Sequence, residues 1–177
     1  MLRGASLYLA SRFDRVTVMA RDSARLTQLA NAARKKNYRI NSLCVDYHDN
    51  FALRSGLENT IHAYGPITLV LAWIHSTAPH ASIIVAETLA QANEKCRYFE
   101  IVGSAAAGPA QIAENQSKRF EQFSSIQYRQ IVLGFMIEQG RSRWLTNDEI
   151  SAGVIRAVMS DEIYSIVGTV RPWSARP

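Results

Sequence analysis

Short apolar runs alternate with longer amphipathic stretches along this chain. The runs are rich in β-branched and aromatic residues and are bounded by Gly, Pro or Asp, whereas the longer stretches repeat apolar residues three or four positions apart. This alternation is typical of βαβ units with a parallel sheet, and most runs are apolar on both faces, as buried parallel strands are. The predicted strands are Arg15–Ala20, Arg39–Val45, Ile67–Ile74, Tyr98–Gly103, Tyr128–Phe135 and Ile163–Val170.

Helices are predicted between these strands, and one precedes the first of them. Leu2, Ala5, Leu9 and Phe13 follow helical spacing from the start of the sequence. The order is then α and β in alternation up to the Tyr98 strand, followed by a less regular stretch and a final β, α and β. A chain of 177 residues fits one core, so we expect a single domain spanning residues 1–177.

Composition excludes several other classes of protein. With 47% hydrophobic and 20% charged residues, the chain has the composition of a globular domain. The longest apolar runs, such as Ile67–Ile74, have the length of a strand, and Met1–Ala10 lacks the continuous apolar region of a signal peptide. We therefore expect no membrane span and a cytoplasmic location. Cys44 and Cys96 belong to no Cys or His cluster, so we predict no metal site.

The net charge of +5 would suit an anionic partner. In the sequence, however, the basic residues are scattered, apart from Arg34, Lys35 and Lys36 at a predicted helix end, where cations favour the helix dipole. Nucleic acid is therefore not an expected partner.

The N-terminal residues carry a resemblance to a known family. The segment Met1–Ser6, its helix and the strand that ends at Ala20 look like a short-chain dehydrogenase/reductase that begins just inside its glycine-rich turn. In that family the turn reads Thr-Gly-x-x-x-Gly-x-Gly; Gly4 matches the second glycine, and Ser6 replaces the third. The resemblance implies a doubly wound, Rossmann-like α/β/α sandwich with a mostly parallel sheet, whose first strand is missing from the chain.

The same resemblance implies a nicotinamide dinucleotide as cofactor. Arg21 follows the strand that ends at Ala20, where NADP-preferring members place a base for the 2′-phosphate, so NADP is favoured over NAD. Asp46 matches the family aspartate that accepts a hydrogen bond from the adenine amino group. His75 follows the Ile67–Ile74 strand, where the family usually has Asn-Asn-Ala-Gly, and is a candidate for lining the cofactor cleft.

The family's catalytic residues are matched only in part. Ser104, after the Tyr98–Gly103 strand, falls on the serine that holds the substrate carbonyl. The family's Tyr-x-x-x-Lys pair is absent, because Lys118 has Glu114 four residues before it and Tyr128 has Val132 four residues after it. Tyr128 and Lys118 remain alternative candidates for proton transfer.

Two functions follow from this partial match. One is an NADP-dependent oxidoreductase that acts on a small carbonyl or alcohol. The other is a non-catalytic dinucleotide-binding or interaction protein that has lost the Tyr-x-x-x-Lys pair. The expected partners are the dinucleotide, a small-molecule substrate and further copies of the chain in a homo-oligomer.

We also expect that a strand and the first glycine of the phosphate turn precede Met1 in the native protein, because a missing central strand would leave backbone groups of its two neighbours unpaired.

Overall fold

Helices and parallel strands alternate through the computed structural model, which describes residues 1–103 and 117–177. The helices are α1 (Arg3–Ala10), α2 (Ser23–Arg34), α3 (Asn50–Tyr64), α4 (Ala81–Ala90) and α5 (Asn147–Ser160), with a 3₁₀ turn at Trp173–Ala175. The strands are β1 (Val16–Ala20), β2 (Ile40–Cys44), β3 (Leu69–Trp73), β4 (Cys96–Gly103), β5 (Ile126–Leu133), β6 (Phe135–Glu138), β7 (Arg141–Trp144) and β8 (Tyr164–Val167).

Side-chain caps fix where three of the helices begin. The carboxylate of Asp22 accepts the backbone N–H of Arg25 at 3.0 Å, and Asp49 accepts that of Ala52 at 3.0 Å, which satisfies orphan amides at the starts of α2 and α3. Thr146 and Glu149 form the reciprocal capping box that their spacing predicts for α5.

The parallel strands form two separate sheets. β1 pairs with β2, and β3, β4, β5 and β8 form a four-stranded sheet in that order. Within the described residues β1 and β3 do not pair with each other, so each keeps one edge without a strand partner. The order β2-β1, then β3-β4-β5-β8, matches a doubly wound sheet without its first strand, as the sequence predicts.

Two apolar cores lie on opposite faces of these strands. On one face, α3 and α4 bury Leu53 and Leu89 together with Tyr98 of β4. On the other, α1 and α5 bury Leu9 and Val154. Residues of both β1 and β3 pack against each core, so the two sheets share one layer between helices. The chain is therefore a three-layer α/β/α sandwich with a mostly parallel sheet.

One part of the strand prediction is wrong. The predicted strand Tyr128–Phe135 is interrupted at Gly134, and Phe135 begins an antiparallel hairpin of β6 and β7 that periodicity did not reveal. A Cβ at Gly134 would overlap the backbone carbonyl of Thr169, so only glycine permits this close crossing of two chain segments. Gln139 and Gly140 both have positive φ, at 52° and 76°, as tight hairpin turns require.

The predicted strand Ile163–Val170 is also too long, since β8 comprises only Tyr164–Val167. Gly168 has φ of 80°, which turns the backbone out of the strand. None of the described helices combines the length and apolar character needed to cross a membrane.

Candidate functional site

Residues from four chain segments meet at the carboxyl edge of the parallel strands. Arg21 directly follows β1, Asp46 lies two residues beyond β2, His75 lies two residues beyond β3, and Gly103 ends β4. Parallel strands place all these ends on one side of the sheet, where doubly wound folds bind their ligands. The topology therefore gathers three of the four cofactor-binding residues predicted from the sequence.

Asp46 is held by the residue two positions after it. Its Oδ1 accepts the backbone N–H of His48 at 3.0 Å and the ring Nδ1 of His48 lies 2.7 Å from the same oxygen. The backbone hydrogen bond first, and then the imidazole, hold the pKa of Asp46 below its usual range, and the nearby Arg21 guanidinium contributes in the same direction. Asp46 is thus a carboxylate at neutral pH. Its Oδ2 accepts no hydrogen bond from a described residue and can accept one from a ligand.

His48 continues this chain of hydrogen bonds to the next segment. Its Nε2 lies 3.0 Å from the hydroxyl of Thr77, four residues beyond β3. In the tautomer that carries its proton on Nδ1, His48 donates to the Asp46 carboxylate and accepts a hydrogen bond from the Thr77 hydroxyl at Nε2. Sequence reasoning missed this contact, since no local pattern links His48 to a residue 29 positions away. The neighbouring Asp49 caps α3.

Arg21 lies beside Asp46 because β1 and β2 end together. Ala20 pairs with Cys44, and the backbone N–H of Val45 donates to the carbonyl of Ala20 at 3.2 Å. The guanidinium of Arg21 forms no ion pair with a described residue and its side chain is exposed. It can therefore contact an anionic group placed over the ends of β1 and β2.

Gly4 lies in the first turn of α1, which points toward the same edge because α1 runs antiparallel to β1. The helix has no side-chain cap, so its first amides are available to a ligand. A Cβ on Gly4 would come within 2.9 Å of the Ser151 Cβ on α5, and the Ser151 hydroxyl donates to the carbonyl of Met1 at 3.2 Å. Gly4 therefore has a helix-packing role in addition to any role in phosphate binding.

His75 is exposed and contacts Trp73 at the end of β3. The two ring centroids are 5.6 Å apart in an edge-on arrangement. The Trp73 ring also reaches the end of β4, since a Cβ added to Gly103 would lie 3.7 Å from it. Ser104, the predicted carbonyl-binding residue, follows Gly103 directly and lies outside the described residues.

Tyr128 lies away from this edge, within the sheet. Its hydroxyl donates to Oε2 of the buried Glu100 at 2.7 Å, and Ser82 donates to Oε1 of the same carboxylate at 2.6 Å. Burial first, and then the negative charge of Glu100, raise the pKa of Tyr128 above its usual value. A proton donor of the family type needs the opposite shift, so this environment favours a structural role for Tyr128. Sequence reasoning overlooked Glu100, although an acidic residue within a doubly apolar strand signals a buried polar cluster.

Lys118 is exposed and lies in the helical residues 117–120, which include Phe120. The Phe120 ring packs at 4.4 Å from the ring of Tyr128, so Lys118 and Tyr128 belong to neighbouring elements. In residues 1–103 and 117–177, three or more Cys, His, Asp and Glu side chains do not converge as a metal site.

The residues at the carboxyl edge fit a dinucleotide in part. Uncapped helix amides suit a pyrophosphate, Arg21 suits a phosphate, and the Asp46 carboxylate suits an amino group. His48 already occupies Oδ1 of Asp46, so an adenine amino group would have to use Oδ2 of the same carboxylate.

Comparisons of sequence gave no relatives: no family model matches the chain, and no curated protein matches it. Comparisons of structure gave many. The citronellol catabolism dehydrogenase AtuB of Pseudomonas aeruginosa PAO1 is 12% identical with a TM-score of 0.70, over 93% of this chain and 86% of that one. A metagenomic short-chain oxidoreductase in complex with NADP is 13% identical with a TM-score of 0.66, over 94% and 90%.

A third similar structure is the gluconate 5-dehydrogenase of Burkholderia cenocepacia J2315 in complex with NADP and tartrate. It is 13% identical with a TM-score of 0.67, over 94% of this chain and 89% of that chain. At these identities the likeness concerns the fold. The chain has the Rossmann-like fold of the short-chain dehydrogenase/reductase family.

Proposed function

We propose that this chain binds a nicotinamide dinucleotide at the carboxyl edge of its sheet, prefers NADP(H), and acts as an oxidoreductase on a small carbonyl or alcohol. The observation that carries this proposal is the convergence of Arg21, Asp46 and the uncapped start of α1 on that edge. Two structures with this fold were determined with NADP and a third, a xylitol dehydrogenase, with NAD+, which supports a nicotinamide dinucleotide as the cofactor.

Each residue has a defined task in this proposal. The amides at the start of α1, around Gly4, hold the pyrophosphate, Arg21 pairs with the 2′-phosphate, and Asp46 accepts the adenine amino group. His75 lines the cleft beside Trp73. When bound, the dinucleotide supplies or accepts the hydride. Ser104 donates a hydrogen bond to the substrate carbonyl oxygen and so stabilises the charge that develops there.

The proton in this proposal does not come from Tyr128. Its hydroxyl is already donated to Glu100, and its raised pKa opposes proton transfer. Lys118 and solvent are the remaining sources of the proton. The chain has no Tyr-x-x-x-Lys sequence anywhere, since none of its seven tyrosines has a lysine four residues later.

The absence of a Tyr-x-x-x-Lys sequence favours a second candidate, a non-catalytic dinucleotide-binding protein. In that case the site at the carboxyl edge is retained, while the proton-transfer pair has been lost. The two candidates agree on cofactor binding and differ on turnover.

Titration of the purified chain with NADPH and NADH tests binding, and a panel of aldehydes and ketones with NADPH tests turnover. We expect NADPH to bind more tightly. If turnover is found, Ser104→Ala should lower kcat/KM by about tenfold or more at unchanged NADPH affinity. Binding without turnover selects the second candidate. Failure of both dinucleotides to bind contradicts both.

A further inference from the structure

Six basic residues from two chain segments lie in or near one small cleft at the amino edge of the sheet. The cleft measures about 280 Å³ and is lined by Arg12, Phe13, Asn37, Tyr38 and Arg39, among others. It lies at the opposite end of the strands from the candidate dinucleotide site. The basic residues are Arg12, Arg15, Arg34, Lys35, Lys36 and Arg39, which we call the amino-edge cluster.

Topology brings the two halves of this cluster together. Val16 pairs with Ile40 at the start of β1 and β2, so Arg15 and Arg39 lie on neighbouring strands. Arg12 follows the end of α1, whereas Arg34 ends α2 and Lys35 and Lys36 lie in the turn after it. That turn is held by hydrogen bonds from the backbone N–H groups of Lys36 and Tyr38 to the carbonyl of Ala33. All six basic side chains are exposed.

The charge of the protein is concentrated at this cluster. Asp14 is the only acidic residue in the two segments that form it, so the cluster carries a local charge of +5. The whole chain also carries +5, which means that its other 14 basic and 14 acidic residues cancel. None of the six cations forms an ion pair with a described residue.

The helix dipoles offset only part of this positive charge. α1, α2 and α3 all end at this edge, and each C-terminus acts as roughly half a negative charge, about 1.5 charges in total. More than three positive charges remain. Two of the guanidinium groups are also positioned by aromatic rings: Arg12 lies 5.5 Å from the ring centroid of Tyr8, and Arg15 lies 5.3 Å from that of Tyr64.

We propose that the amino-edge cluster and its cleft bind single-stranded nucleic acid. Sites for single strands combine a basic surface along the backbone with aromatic side chains on which bases stack, and here Phe13 and Tyr38 line a cleft flanked by Arg12 and Arg39. Asn37, in the same cleft, can donate to and accept from a base edge.

The shape of the site argues against other polyanions. The cleft is slightly smaller than the roughly 300–1,000 Å³ of ordinary ligand sites, so it holds a group about the size of one base. No described helix or ribbon projects from this edge to enter a duplex groove. Phe13 is exposed and Tyr38 is half-buried, so both rings are accessible to a stacking base.

Fluorescence anisotropy with a labelled 12-nucleotide oligo(U) RNA tests this proposal. We expect binding that weakens steeply with salt. The double variant Arg12→Gln/Arg39→Gln should lower affinity by about tenfold or more at low salt. It should also reduce the slope of log K against log salt by about 1.4, or roughly 0.7 for each phosphate that is no longer neutralised. The matched control, Arg141→Gln/Arg156→Gln, removes the same charge from exposed positions elsewhere and should stay within about twofold.

The aromatic side chains are tested separately. Phe13→Ala and Tyr38→Ala should each weaken binding by roughly 5- to 150-fold with little change in the salt slope, while Tyr38→Phe, which keeps the ring, should bind normally. Melting temperatures and NADPH titrations of every variant show whether it remains folded, because the dinucleotide site lies at the other edge.

Four results would overturn the proposal. The first is that no RNA binds at 50 mM salt, and the second is that the cluster variant and its charge-matched control lose affinity equally. The third is that both alanine variants keep their affinity for RNA. The fourth is that duplex DNA or phosphatidylserine vesicles bind more tightly than the single strand.

Discussion

The Nε2 atom of His48 lies 3.0 Å from the hydroxyl oxygen of Thr77, and this hydrogen bond joins the segment after β2 to the segment after β3. β2 and β3 belong to different sheets, and β1 and the two unpaired strand edges lie between them. With the 2.7 Å contact of His48 with Asp46, the bridge ties three side chains across the carboxyl edge. The candidate adenine site is therefore positioned from both sheets.

Replacing Thr77 tests whether this bridge matters for the cofactor. Thr77→Val keeps the shape and removes the hydroxyl, and the loss of one hydrogen bond of about 0.5–1.5 kcal/mol should weaken NADPH binding roughly two- to twelvefold. Ser76→Ala, at the exposed neighbouring position, serves as the control. Equal NADPH dissociation constants for the Thr77 variant and the unmodified protein would show that the bridge has no part in binding.

Arg21 should determine the preference between the two dinucleotides. Arg21→Ala removes a charge-assisted contact of about 1.5–3 kcal/mol, so NADPH affinity should fall roughly 10- to 150-fold while NADH affinity changes little. Arg25→Ala is the matched control, since Arg25 is exposed and pairs with Asp22 at 3.2 Å instead. If the unmodified protein binds NADPH and NADH equally, the assignment of Arg21 to the 2′-phosphate is wrong.

Tyr128 should contribute to stability rather than to catalysis. Tyr128→Phe leaves Oε2 of the buried Glu100 without its 2.7 Å donor, which costs about 1–3 kcal/mol and lowers the melting temperature by roughly 2–12 °C. Tyr164→Phe, on an exposed side chain of β8, should melt like the unmodified protein. A Tyr128→Phe variant with unchanged stability but reduced turnover per folded molecule would instead identify Tyr128 as a proton donor.

The hairpin is linked to α5 through a pH-dependent ion pair. The Arg143 guanidinium first, and then the backbone N–H of Thr146, lower the pKa of Glu149 from 4.5 to about 2. Because the folded pKa is depressed, this stabilisation is complete above about pH 4.5 and is lost as the pH falls toward 2. Glu149→Gln should therefore flatten the fall in melting temperature over that range. Asp148→Asn, in the same helix turn, should keep the original profile.

The two unpaired strand edges predict a response to an added strand. β1 and β3 contact the same two cores but do not pair, so a parallel strand between them would satisfy backbone groups on both. Extending the chain upstream of α1 by a designed segment of about ten residues, enough for one apolar strand and a turn, should raise the melting temperature. An extension of equal length made of Gly and Ser controls for length, and equal melting temperatures for the two would contradict the prediction.

Local sequence patterns determined the elements of this protein. Alternating apolar runs and stripes placed the six parallel strands, and the capping box of Thr146 and Glu149 follows from their spacing of three positions. The order of elements, together with the pairing rules for parallel strands, then implied which residues end strands. This is why Arg21, Asp46 and His75 could be assigned to one edge from the sequence alone.

Interactions between distant segments were decided only by the tertiary structure. The bridge from His48 to Thr77 spans 29 positions and the hydrogen bond from Tyr128 to Glu100 spans 28, and no local pattern encodes either. The hairpin after Gly134 depends on a close crossing with Thr169, which is equally remote in sequence. The basic residues look scattered along the chain because the pairing of β1 with β2 is what brings Arg15 beside Arg39. Sequence spacing thus specifies the elements, whereas side-chain chemistry across strands arises only once the strands are paired.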